Sequence, residues 1–315
     1  MELKTELCDL LGIDVPILQG AMAWAATGEL AAAVSIAGGL GIIAAGNAPA
    51  DIIEKEIEKV KKATDKPYGL NVMLQSPFVD EIIELAIEKR VPVITTGAGN
   101  PGKHVKRFQE AGSKVLPVIP SVALAKRMSR LDVDAVIVEG TEAGGHIGEL
   151  TTMALVPQVV DAVDVPVIAA GGIGDGRGLA AALALGAQGA QIGTRFACSD
   201  ECTASDNFKQ AIIGAKDRDA VVTGRLTGHP VRNIKNKLTN KIDKLEKQGV
   251  DPKRIEELGS GKLRDAVIDG DTEEGSVMAG QILSMISEIK PVKEIIEEIM
   301  IKAENVITDN YNLLK

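Results

Sequence analysis

Residues 139–148 read EGTEAGGHIG and place a single imidazole, His146, in a glycine-rich loop. Imidazole is the side chain best suited to move a proton near neutral pH. Gly144 and Gly145 beside it let a planar ring or a phosphate approach the main chain without a Cβ in the way. Two further glycine segments complement it: residues 170–176, AGGIGDG, and residues 193–195, GTR. Gly171, Gly172 and Gly193 can close backbone N–H groups on an anion, Thr194 adds a hydroxyl, and Arg195 could add charge. Asn71 has an amide that both donates and accepts, as the edge of a heterocycle requires, and Gln19 and Asn47 are weaker alternatives. Gly20, Ala21 and Met22 form an apolar shelf for a ring. Each feature also has a plain structural reading, since glycines end strands and asparagines make turns.

The elements that must hold these groups follow from the hydrophobic pattern. Eight short apolar runs recur: 15–20, 40–46, 68–74, 91–99, 114–121, 134–140, 165–172 and 189–194. Helical periodicity fills the gaps at 29–37, 51–63, 78–90, 103–111, 122–130, 154–163 and 176–185. The runs are nearly continuous Val, Ile, Leu and Ala, which suits strands covered on both faces. This repeated strand–helix alternation predicts an α/β fold, a (β/α)8 TIM barrel with its chemistry in the loops after the strands. His146 follows the sixth run, and the two anion-binding loops follow the seventh and eighth. A doubly wound sheet is disfavoured, because the first strand is followed by Gln-Gly-Ala-Met rather than a dinucleotide fingerprint. Beyond residue 203 charged helical segments take over, at 208–216, 231–249, 252–258, 263–268, 275–287 and 292–314. Residues 1–203 are therefore expected to form the barrel. Residues 204–315 are expected to form a smaller, mainly helical domain over its mouth, with the C-terminal helix free to pack back on the barrel.

Composition narrows the function. The formal net charge of -9 disfavours a nucleic-acid partner, which needs clustered cations. No apolar run approaches the ~18 residues that would span a bilayer, and the acidic N-terminus lacks a signal-peptide core, so no membrane and a cytoplasmic location are expected. Cys8, Cys198 and Cys202 cannot make a disulfide framework, and Cys198 with Cys202 lacks the further ligands a zinc site needs, so no metal is expected. His104, in the charged segment KHVKRFQE, reads as a solvated surface residue. His229, before Pro230, reads as lining the cleft from the second domain.

Phosphate-binding loops, an apolar shelf and a polar amide together suit flavin mononucleotide (FMN). The motifs QGAMAW (19–24), AGGLGIIAAGN (37–47), NVML (71–74), TTGAGNP (95–101), EAGGHIG (142–148), AAGGIGDG (169–176), IGTRF (192–196) and GSVMAGQI (275–282) resemble those of the flavin-dependent enoyl-acyl-carrier-protein reductases. These share a superfamily with the nitronate monooxygenases. The EAGGH loop is common to both, while TTGAGNP, GHPVRNIKNKLT (228–239) and GSVMAGQI favour the reductases. The resemblance implies that NADH or NADPH reduces bound FMN and that hydride passes to the β-carbon of a trans-2-enoyl thioester, with a proton to the α-carbon. It implies His146 as the catalytic residue. Gly20, Ala21, Met22, Asn71, Glu139, Gly171, Gly172, Gly193 and Thr194 would hold the cofactor. Gly145, His229, Met278 and Gln281 would face the substrate, the last two from a helix start. A homodimer is expected by the same analogy. Acyl carrier protein would be the partner, and the basic stretch Arg225, Arg232, Lys235, Lys237, Lys241, Lys244 and Lys247 could steer that acidic protein. The alternatives are a nitronate monooxygenase that oxidises alkyl nitronates with oxygen, and a non-catalytic binding protein.

Overall fold

In the computed structural model, which describes residues 3–313, the apolar runs become parallel strands. They are β1 (Ile17–Gln19), β2 (Gly41–Ala44), β3 (Tyr68–Met73), β4 (Val93–Gly97), β5 (Lys114–Ile119) and β6 (Val136–Glu139). After a two-residue strand, β7 (Gly145–His146), come β8 (Val167–Ala170) and β9 (Gly189–Ile192). The order β1-β9-β8-β6-β5-β4-β3-β2 is parallel throughout. A parallel bridge between Leu18 and Leu40 brings the edges together, so the sheet is the TIM barrel that the strand–helix alternation predicts.

The period-2 alternation of a strand decides which side chains enter the barrel. Val136 and Val138 pack outward in the layer shared with the helices, whereas Ile137 packs inward. Glu139, two residues further, is thereby aimed at the open end. By the same rule Leu70 and Val72 face the helices, and Asn71 faces the interior. The interior below the mouth is filled by Leu18, Leu40, Ile42, Val93, Leu116, Ile137 and Ile168. Leu7, Cys8 and Leu11 of the helix Glu6–Leu11 join this cluster and close the far end. A filled lower barrel leaves the C-terminal mouth as the place for a site.

After β9 the chain leaves the barrel, and its last helix returns to it. The helix Val292–Asn312 packs on the barrel helix Gly176–Ala184. A Cβ on Gly176 would lie 2.3 Å from the Ile299 carbonyl oxygen, so glycine permits that approach. Residue 314, the expected end of this helix, lies outside the described residues. The residues between β9 and Val292 are referred to below as the insertion. It carries two more strands, β10 (Ala220–Thr223) and β11 (Val231–Ile234), and the sheet order is β10-β11-β7. Residues 231–249 are thus not one helix. β-Branched Val231 and Ile234 pair across strands, and the helix starts only at Lys237, capped by Asn236. Residues 275–287 are likewise not a helix. Gly275 lies against the Asp271 carbonyl oxygen, where a Cβ would stand at 2.1 Å, and only Gln281–Met285 coils, as a 3-10 turn.

Candidate active site

The barrel mouth and the insertion enclose a cavity of ≈ 1190 Å³. Its floor is built from main chain wherever glycine replaces a side chain. Gly171 and Gly172 have φ of +90° and +72°, and a Cβ on Gly171 would stand 2.8 Å from the Gly140 carbonyl oxygen. Gly20 and Gly193 bring the loops after β1 and β9 together, with a notional Cβ of Gly20 3.5 Å from the Gly193 Cα. Thr194 Oγ1 accepts a hydrogen bond of 2.9 Å from the Gly280 N–H, which leaves its own O–H to donate. Ala21 and Met22 line the same wall.

At the polar side of this floor stand Asn71 and Glu139. The Asn71 amide donates to Thr95 Oγ1 at 2.9 Å, which fixes its orientation on the barrel wall. Glu139 ends β6 with no side-chain hydrogen bond among the described residues, and burial pushes its carboxyl up to about 7. Desolvation is the cause, since the charged form loses water without gaining a partner.

His146 lies on β7, which is paired with β11 through Val231. Its ring opens on the cavity, yet surrounding protein desolvates it, and His229 opposes a second positive charge. Both hold its imidazolium below the ordinary histidine range. The loop that carries it is held on both sides. Arg232, buried, donates from Nε and Nη2 to the Thr141 carbonyl oxygen at 3.1 and 2.8 Å. Thr152 donates from its backbone N and Oγ1 to the Glu142 carboxylate, and the Gln281 N–H binds the Glu142 carbonyl at 2.9 Å.

The cavity thus brings together Gly20, Ala21, Met22, Asn71, Glu139, Gly145, His146, Gly171, Gly172, Gly193, Thr194, His229 and Met278. Gln281 is not among them: its side chain is exposed, because the 3-10 turn directs it outward while its N–H serves the Glu142 loop. Asn47 lines the cavity. Gln19 instead points away from the barrel axis and bonds the backbone N–H and carbonyl of Ile42, tying β1 to β2. Arg195 donates to the Glu288 carbonyl at 2.9 Å and adds no charge to the glycine floor. His104 is buried rather than solvated, on the face of its helix that also carries Val105 and Phe108. The basic stretch is thinner than its sequence implies, because Arg232 is buried, Lys237 pairs with Glu273, and Lys247 pairs with Asp243. Gln191, Asn233, Ser276, Trp24 and Arg264 also line the cavity. Gln191 could have been found from strand alternation and Trp24 from its place in the loop after β1, but Asn233, Ser276 and Arg264 depend on how the insertion folds over.

The chain matches the nitronate monooxygenase family over residues 4–302. FabK from Thermotoga maritima superposes with a TM-score of 0.96 at 48% identity, covering 99% of both chains. A probable nitronate monooxygenase of Staphylococcus saprophyticus is 36% identical, with 89% of this chain and 92% of the relative covered. A (3aS,4S,5R,7aS)-5-hydroxy-7a-methyl-1-oxo-octahydro-1H-indene-4-carboxyl-CoA dehydrogenase of Mycobacterium tuberculosis is 34% identical, with 96% and 97% covered.

Proposed function

This chain belongs to the nitronate monooxygenase family of oxidoreductases, and we propose that within it the protein is an FMN-dependent reductase of trans-2-enoyl thioesters on acyl carrier protein, with NADH or NADPH as hydride donor. The carrying observation is one continuous cavity that joins the glycine floor, His146 and an apolar wall from the insertion, Leu238, Ile242 and Ile255. An acyl chain profits from such a wall through burial of its methylenes, roughly 0.8 kcal/mol each, whereas a small nitronate has little to bury there. The likeness to FabK, at higher identity than to the probable nitronate monooxygenase, supports the same reading.

The residues fit FMN. Gly171, Gly172, Gly193 and Thr194 would hold its phosphate through N–H and O–H donors at strand ends. Gly20, Ala21 and Met22 would carry the ring, with Asn71 and Glu139 at its polar edge. Bound flavin supplies hydride exchange, and the protein supplies orientation. His146 would hold the proton delivered to the α-carbon, its backbone placed by β7–β11 pairing. Gly145, Met278 and His229 would bound the thioester end. Covering of the mouth by the insertion would limit the access of bulk water to the reacting carbons.

Purified protein supplied with NADH or NADPH and a crotonyl thioester under anaerobic conditions should oxidise the nicotinamide only when the thioester is present. Oxygen consumption with an alkyl nitronate, together with indifference to nicotinamide, would overturn the reading in favour of the monooxygenase.

A further inference from the structure

The cavity mouth carries a charge that the proton-transfer chemistry does not use. Among the described lining residues Arg264 is the only lysine or arginine, and it sits in the helix Lys262–Val267 of the insertion. The glycine floor, by contrast, is lined only by backbone and neutral groups apart from Glu139 and Glu142. Arg264 is braced from the barrel side, with its guanidinium carbon 6.0 Å from the ring centroid of Trp24 in a cation–π arrangement. Trp24 is held at φ +68°, a left-handed backbone that a bulky residue adopts only where its surroundings enforce it. The enforced turn brings the indole to the mouth, where it lines the cavity beside Ala23 and Ala25.

Asp269 receives Arg264 Nη1 at 2.9 Å. A guanidinium has five N–H donors, so Nε and Nη2 are left for another acceptor. That free two-donor edge can pair bidentately with the oxygens of a phosphate, with Glu256 also on the cavity wall.

We propose that Arg264, braced by Trp24, recognises a phosphate at the cavity mouth, carried by a pantetheine-linked thioester or by the nicotinamide nucleotide. The identity of these two ligands rests on the reductase reading; the phosphate site itself does not. Both substrates must enter past the mouth, and both bear phosphate outside their reacting carbons, where binding can hold them without touching the chemistry.

Trp24 is the single tryptophan of the chain, so its emission reads this site without need of turnover. The experiment titrates Trp24 fluorescence of the FMN-loaded protein and of R264Q and R264K with three probes: coenzyme A, NAD+, and the phosphate-free crotonyl-N-acetylcysteamine. A thioester site predicts that R264Q weakens coenzyme A about tenfold or more, with NAD+ and the phosphate-free probe changed less than twofold. A nicotinamide site predicts the loss for NAD+ instead. R264K, which keeps the charge but not the fork, should recover part of whichever affinity is lost. The proposal is overturned if both phosphate probes keep their wild-type affinity in R264Q, if wild-type Trp24 emission responds to neither, or if all three probes weaken alike. Failure of the reductase reading would show separately, as absence of thioester-dependent nicotinamide oxidation by the wild-type protein.

Discussion

Arg232 and Thr141 join the insertion to the loop that carries His146: two guanidinium donors, Nε and Nη2, meet one carbonyl oxygen at 3.1 and 2.8 Å. Beside this contact the backbones of Arg232 and Gly145 are paired, and so are those of Val231 and His146. The position of His146 is therefore set as much by the insertion as by the barrel. R232M keeps bulk but leaves the Thr141 carbonyl without its partner, at a cost of about 1–3 kcal/mol. The expected outcome is a lower Tm and a slower thioester half-reaction with FMN still bound. An unchanged half-reaction rate in single-turnover measurements would detach Arg232 from the positioning of His146.

The glycine floor makes a paired test possible. Gly171 and Gly112 have similar φ, +90° and +93°, but a Cβ on Gly171 meets the Gly140 carbonyl oxygen at 2.8 Å, whereas nothing lies within 4 Å of one on Gly112. Both G171A and G112A carry the backbone penalty of a left-handed residue, about 1–2 kcal/mol. Only G171A also forces the floor apart. It should purify with little flavin, and G112A with a full complement, as read from absorbance per protein.

His146 gives the account a pH signature. Burial first, and the charge of His229 second, hold its pKa below the ordinary 6.5. If imidazolium delivers the proton, the thioester half-reaction is fast at low pH and falls as pH rises through a value below 6.5. H229Q removes the smaller cause and should move this limb upward, though not back to an exposed histidine's value. A limb that stays in place or moves down in single-turnover pH profiles would contradict the pairing.

Glu139 is shifted in the opposite direction, and its readout is stability. Its folded pKa of about 7 lies above the ordinary carboxylate value of 4.5, so between these values the folded state keeps a proton that the unfolded state has released. Stability associated with the protonated form is full below 4.5 and is lost as pH rises through about 7. E139Q should remove this slope and be more stable than wild type near pH 8 by on the order of 2 kcal/mol. Chemical denaturation of the flavin-free protein at pH 5 and pH 8 measures the difference.

Four cations of the basic stretch are left as the proposed carrier-protein surface. Arg225, Lys235, Lys241 and Lys244 are exposed and make no ion pair among the described residues. Reversing Lys241 and Lys244 to Glu should raise KM for a carrier-linked thioester several-fold and spare the coenzyme A analogue, because steering acts on the acidic protein and not on the reacting group. Equal changes for both substrates would remove this surface from docking.

The barrel was legible because its signal is local. Runs such as 134–140 and 165–172 carry their burial in their own composition, and glycines at their ends mark the mouth. The insertion was not legible for the opposite reason. β7 is two residues long and gains its strand character only from β11, far along the chain. Arg232 looks like any basic surface residue until that pairing buries it. His104 reads as polar in a charged segment, although its neighbours Val105 and Phe108 define the buried face. Gln281 lies outside the cavity lining because the chain is extended at Gly280 and coils only from Gln281 onward. In each case the deciding contact lies with an element distant in sequence.

The most direct test is anaerobic stopped-flow absorbance of the flavin in wild-type protein and H146A, first with NADH or NADPH and then with a crotonyl thioester. Both proteins should bleach alike on nicotinamide addition, the thioester should restore the oxidised spectrum in the wild type, and recovery in H146A should be slower by about 100-fold or more. Recovery at the wild-type rate in H146A would contradict the role given to His146, and bleaching without any thioester-driven recovery in the wild type would contradict the reductase itself.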